Sequence, residues 1–154
     1  MTKRSIAMYL TLLLATAAVA QARPDFTGTW KQNMEKSPTK SSWLKSYVNK
    51  IELQDTSLKV VVTMVGDRGE NIYTRTYTIG KEETSQDREG DQFTTTVKWE
   101  GNKLVLDTVE KERDGTLTSK EIWTLSDDGK TLTKNIHRSG PRGESDQKYI
   151  LEKQ

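Results

Sequence analysis

The chain has 154 residues, 24 of them basic and 22 acidic for a formal net charge of +2, with a single histidine and no cysteine. That length supplies one hydrophobic core rather than two, and the missing cysteines exclude disulfide staples, thiolate metal sites and thioether lipid anchors. Charge so nearly balanced also excludes the phosphate-neutralising surface on which nucleic-acid affinity rests.

Residues 1–22 read as an export leader: Lys3 and Arg4 give a basic start, Ile6 to Val19 form an apolar run, and Ala20-Gln21-Ala22 offers a small-x-small cleavage site. An uncleaved anchor needs roughly 18 to 20 apolar residues, and this run is shorter and interrupted by Thr11 and Thr16. The expectation is a secreted or periplasmic protein with no stable membrane anchor after cleavage. Its mature part, 23–154, is one domain and formally neutral once the two leader cations are removed.

Beyond the leader, short alternating segments rich in Val, Ile, Thr and aromatics are punctuated by glycine, the signature of an all-β sandwich or barrel. Period-two alternation predicts strands over 26–32, 48–54, 58–65, 71–79, 82–87, 92–100, 103–111, 116–125, 130–138 and 145–153. In the sixth, Phe93, Thr95, Val97 and Trp99 share one face and Thr94, Thr96, Lys98 and Glu100 the other, so one face is buried and one wet. Segment 33–47, with Pro38, Trp43, Leu44 and Tyr47, predicts an extended loop or one or two helical turns.

Leu58 to Gly69, Leu104 to Gly115 and Leu132 to Gly143 share one spacing of 11 residues. An up-and-down chain then places these three glycine turns, which follow Arg68, Asp114 and Arg142, at one end, and the turns near 55, 101 and 128 at the other. A sandwich satisfies the strand count equally. The meandering hairpin order favours a closed single antiparallel up-and-down barrel of 8–10 strands, which leaves no unpaired edge.

Phe26-Thr27-Gly28-Thr29-Trp30-Lys31 resembles the opening strand of the calycin superfamily, whose Gly-x-Trp element closes the base of lipocalin and fatty-acid-binding-protein barrels. Gly80-Lys81-Glu82-Glu83, Glu100-Gly101-Asn102-Lys103-Leu104-Val105 and Leu151-Glu152-Lys153 are similar to later strands of fatty-acid-binding proteins, in order and spacing. The likeness extends to bacterial exported proteins of the lipocalin-like kind. Two departures bear on function. Segment 33–47 is too short for the helix-turn-helix lid of fatty-acid-binding proteins, and their carboxylate-holding Arg-x-Tyr is matched only by Gln147-Lys148-Tyr149, which keeps the tyrosine and lacks the arginine.

Catalytic chemistry is poorly supplied. His137 alternates with Asn135 and Thr133 and reads as a solvated surface residue, and with no His or Cys cluster no catalytic, metal or cofactor site is expected. Asp127-Asp128-Gly129-Lys130 reads as hairpin-turn chemistry rather than a calcium loop. Arg68-Gly69-Glu70 and Arg142-Gly143-Glu144 read as solubilising hairpin tips.

Trp30, Tyr73, Tyr77, Phe93, Trp99, Trp123 and Tyr149 fall on faces that alternation points inward. Arg75 lies between Tyr73 and Tyr77 in alternation, and Arg138 shares the parity of Leu132 and Ile136. Either arginine is thereby an interior cation and ligand anchor, or its parity is misjudged, since a buried unpaired arginine is very costly.

The leading expectation is an exported, non-enzymatic binding protein that holds a small, mainly apolar ligand in the barrel. Tyr73, Tyr77, Phe93, Trp99 and Trp123 form its walls, and Arg75, Arg138 and Tyr149 its polar anchors. The alternative is a ligand-free structural or protein-interaction barrel packed solid, with no partner named by the sequence.

Overall fold

A computed structural model describes residues 22–86, 90–112 and 115–154. The leader expected over 1–22 falls almost wholly outside the described residues, as do position 87 of the fifth predicted strand and the turn residue Asp114. Ten strands run in chain order: β1 (Gly28–Gln32), β2 (Leu44–Gln54), β3 (Ser57–Gly66), β4 (Gly69–Thr78), β5 (Glu82–Gln86), β6 (Gln92–Glu100), β7 (Lys103–Glu112), β8 (Gly115–Leu125), β9 (Thr131–Gly140) and β10 (Gly143–Lys153).

They form one antiparallel sheet ordered β4-β3-β2-β1-β10-β9-β8-β7-β6-β5. First and last strands meet through Trp30↔Lys153 and Gln32↔Leu151, which curls the sheet into a barrel. The expectation of a barrel without unpaired edges is corrected at one seam: β4 and β5 lie near each other but, among the described residues, exchange no ladder. Local hydrogen bonds account for it. Gly80 N donates to Val97 O of β6 at 2.7 Å, drawing the connection towards β6, and Thr78 N donates to the Glu83 carboxylate at 2.9 Å, which occupies the edge of β4.

Alternation decides what fills the interior. Leu58, Val60, Val62 and Met64 of β3 point inward, as do Leu104 and Leu106 of β7, and Leu58, Leu104 and Leu132 are each fully buried. These three leucines start their strands at one end of the barrel, and glycine turns end the same hairpins at the other, so the shared 11-residue spacing reflects barrel height.

The leucine end is closed. Phe26, Trp30, Ile51, Val97, Trp123 and Leu151 complete its plug, each no more than 2% exposed. Trp30 Nε1 donates to Phe26 O at 2.9 Å, and Phe26 meets Trp123 edge-on at 6.0 Å. Burial on this scale stabilises by about 1.5–3 kcal/mol per large side chain.

The turn at Ser126–Lys130 matches its sequence reading. Asp128 Oδ1 accepts from Ser126 Oγ at 2.6 Å and Lys130 N at 3.0 Å, and Gly129 takes φ +66°, where a Cβ is unfavourable. Segment 33–47 takes the extended-loop alternative as far as 43, and β2 begins earlier than the predicted 48. On either side of a turn at 34–36 the chain runs beside β10, with Asn33 N donating to Ile150 O at 2.8 Å before it and Thr39 N to Lys148 O at 3.3 Å after it, and β2 already begins at Leu44 across a bulge from Gly66. No helix forms between β1 and β2, so the glycine-turn end has no helical lid.

Candidate functional site

Above the plug the barrel holds a cavity of about 290 Å3. Its walls follow from strand parity. Tyr73, Arg75 and Tyr77 project from β4, Phe93 from β6, Glu121 and Trp123 from β8, Lys134 and Ile136 from β9, and Tyr149 from β10. Tyr47 and Asn49 of β2 complete the ring, and Trp43 and Leu44 stand at the rim with Arg138.

The floor carries a polar cluster that joins three strands, β2, β8 and β9. Lys134 pairs in register with Trp123 on one side and Tyr149 on the other. Its side chain is 3% exposed and its ammonium sits 4.0 Å from the Trp123 ring centroid, 3.5 Å from Glu121 Oε1 and 2.6 Å from Asn49 Oδ1, to which it donates. Trp123 Nε1 donates to the same Glu121 oxygen at 2.5 Å. Because Lys134 can only donate, it fixes the Asn49 amide with its oxygen towards the ammonium. Asn49 Nδ2 is then buried with no hydrogen-bond partner among the described residues. Burial pulls the Lys134 ammonium below the usual lysine range, against the opposing attraction of Glu121.

The wall beside the seam is cationic and aromatic. The Arg75 guanidinium lies 5.4 Å from the Tyr73 ring centroid and 5.2 Å from that of Phe93, reaching from β4 to β6 across the unpaired gap. Tyr73, Arg75, Tyr77 and Phe93 also line a groove of about 520 Å3 along the seam, so they separate the cavity from a second opening in the wall. Opposite, the Tyr47 and Tyr149 rings stack with centroids 6.0 Å apart. Burial raises the phenols of Tyr47, Tyr77 and Tyr149, and that of Tyr73 is pushed up to about 12, so all four stay neutral hydrogen-bonding groups at physiological pH.

Seven of the eight residues singled out from sequence line this cavity: Tyr73, Arg75, Tyr77, Phe93, Trp123, Arg138 and Tyr149. Trp99 does not. It ends β6 next to the Gly101 turn, so it lies below the floor, 5.9 Å from Phe26, with the Arg23 guanidinium 5.2 Å from its ring centroid. Arg138 keeps its inward parity yet is exposed, because its strand position lifts it to the rim.

Sequence reasoning missed Lys134, Glu121, Asn49 and Tyr47. Lys134 had a signal, since it falls between Leu132 and Ile136 on the inward face. His137 lies on the outer face, its Nδ1 2.8 Å from Asp146 Oδ1 and outside the cavity.

Solved structures share this architecture. Zebrafish ileal bile acid-binding protein in complex with cholic acid matches with TM-score 0.57 and 17% identity, covering 84% of this chain and 98% of its own. Secretory abundant heat soluble protein 4 from Ramazzottius varieornatus matches with TM-score 0.62 and 12% identity over 83% and 94%. The apo form of Caenorhabditis elegans lipid binding protein 8 gives 0.58 and 14% over 84% and 95%. The fold is a fatty-acid-binding-protein-like β-barrel.

No protein-family model matches the chain, and neither does any curated protein sequence. At these identities the likeness concerns the backbone. The barrel buries Trp30 of the Gly-x-Trp element fully at its base and carries an extended strap along β10, with no helix between β1 and β2.

Proposed function

We propose that the mature protein is an exported, non-enzymatic carrier that holds a small, mainly apolar molecule inside its barrel. The observation that carries this reading is the lined cavity above a solid plug. Its volume of about 290 Å3 lies at the small end of ligand pockets, equal to roughly ten waters at about 30 Å3 each. Aromatic rings from β2, β4, β6, β8 and β10 line it, and Arg75, Glu121 and the tyrosine hydroxyls supply a few polar groups. The alternative of a solid interaction barrel requires a filled interior, and this upper half is open.

The solved calycin barrels include proteins described as binding bile acid or lipid, which supports a carrier by analogy of fold alone. Export rests on the leader. Peptide sequencing of the protein recovered outside the cytoplasm is expected to begin at Arg23, and a start at the initiator methionine would remove that part of the proposal.

The carrier reading is tested by solvent extraction and mass spectrometry of mature protein purified from its own cells, beside a Ser119→Trp variant. Ser119 faces the cavity, so an indole there occupies it. A compound extracted from the wild type and depleted in folded Ser119→Trp supports the carrier. An identical extract from both, or none from either, contradicts it.

A further inference from the structure

The charges inside the cavity are arranged for each other. Lys134 spends its donors on Asn49 Oδ1 and Glu121 Oε1 and presents its remaining face to the Trp123 ring. Arg75 lies over the Tyr73 and Phe93 faces and feels the attraction of the Glu110 carboxylate, which also lines the cavity. The third cation of the lining, Arg138, stands exposed at the rim, where water and salt screen it. The carboxylate of Glu121 stays partly open at 24% side-chain exposure while the lysine that neutralises it is sealed at 3%, so an arriving group meets the carboxylate before the ammonium.

A ligand carboxylate pushed to the floor therefore finds Lys134 already committed and meets the negative charge of Glu121. The donor left without a protein partner is neutral: Asn49 Nδ2, in a cavity-lining residue that is fully buried. A buried donor of this kind is satisfied by a carbonyl, ether or hydroxyl oxygen that shifts the neighbouring floor side chains to reach it, without bringing a second charge into the interior. The walls are flat, with the stacked Tyr47 and Tyr149 rings on one side and Tyr73 and Phe93 on the other.

Resting on the carrier reading above, we propose that the cavity selects an uncharged ring compound bearing a hydrogen-bond acceptor and rejects carboxylates of the same size. The Lys134–Glu121 pair serves this selectivity by leaving no free cation on the floor. It supplies polarity to the floor while cancelling the charge that an acyl carboxylate needs.

The test is isothermal titration calorimetry of the mature protein, emptied by solvent extraction and refolded, with 2-acetylnaphthalene and 2-naphthoate, which match in shape and differ in charge. The ketone is expected to bind at least tenfold more tightly. In Glu121→Gln, which keeps an acceptor for Trp123 and frees the Lys134 charge, the ketone-to-carboxylate ratio of affinities is expected to fall at least tenfold. The double variant Glu121→Gln/Lys134→Met replaces the whole pair and is expected to retain a preference for the ketone. It carries the comparison if the single variant does not fold.

Equal or tighter binding of 2-naphthoate to the wild type overturns the inference, as does a ratio unmoved in folded Glu121→Gln or a carboxylate preference in the double variant. Binding of neither probe at millimolar concentration also overturns it. The extraction experiment then separates the two failures: a cargo recovered from the wild type and depleted in Ser119→Trp leaves the carrier standing with a different selectivity, and no cargo removes the carrier itself.

Discussion

Removing Lys134 alone should cost far more than removing it together with Glu121. The pair sits 3.5 Å apart with the lysine 3% exposed, and a Coulomb attraction at that separation is about 5 kcal/mol for an effective dielectric of about 20. Most of this offsets the cost of taking both charges out of water, so the intact pair contributes little net stability. In Lys134→Met the Glu121 carboxylate loses its counter-charge and Asn49 Oδ1 loses its 2.6 Å donor, keeping only the Tyr47 hydroxyl at 3.4 Å. Leaving one partner of a buried pair behind typically costs about 3–5 kcal/mol, and the partial exposure of Glu121 places this case at about 3. The double variant Lys134→Met/Glu121→Gln leaves no unpaired charge and keeps an acceptor for Trp123 Nε1, for an expected loss of about 1–2 kcal/mol. Urea unfolding of the mature wild type and the three variants gives the coupling directly. The account predicts at least about 2 kcal/mol of it. A Lys134→Met loss under about 1 kcal/mol, with additive losses in the double variant, would refute the reasoning that the floor is a self-neutralised pair.

Other consequences follow from the plug, the turns and the tyrosines. Trp30→Ala empties the base and removes the hydrogen bond to Phe26 O, and should cost about 3–5 kcal/mol in urea unfolding. Gly115 has φ +142° and a Cβ there would stand 2.6 Å from Pro141 Cγ, so Gly115→Ala should lose about 1–3 kcal/mol and lower the melting temperature by several degrees. The Tyr73 phenol titrates at about 12 in the fold against 10.0 for the free group, so its contribution to stability is complete below pH 10 and is lost as pH rises through 12. Unfolding at pH 8 and pH 11 should show Tyr73→Phe losing about 1.4 kcal/mol less than the wild type over that interval. Equal losses would show that Tyr73 titrates normally in the fold.

Much of this architecture was legible because a barrel wall obeys one rule, alternation, along every strand. That rule alone turned Tyr73, Arg75 and Tyr77 to the same interior face, and the repeated leucine-to-glycine spacing gave the two ends. It failed where height along the barrel matters as much as facing. Trp99 points inward but lies beneath the floor, and Arg138 points inward but stands at the rim. The seam was hidden because it depends on where Gly80 and Thr78 find their hydrogen bonds, through Val97 and Glu83. The start of β2 was missed because Lys45 and Ser46 carry no apolar alternation and are held by pairing across a bulge.

The polar floor was the largest omission. Lys134 could be placed on the inward face from Leu132 and Ile136, but its tolerance there depends on Asn49, 85 residues away in sequence, and on Glu121 across the β8–β9 ladder. No local pattern relates those positions. An inward lysine in an otherwise alternating strand is nevertheless a usable signal, because burial of that charge demands partners on other strands.

The central claim is that the open half of the barrel is occupied in the cell. Native mass spectrometry of the mature protein from its own cells, before and after gentle unfolding, tests it most directly. The account predicts a reproducible extra mass, lost on unfolding and absent from Ser119→Trp. A bare mature polypeptide under the mildest conditions, in every preparation, would contradict it.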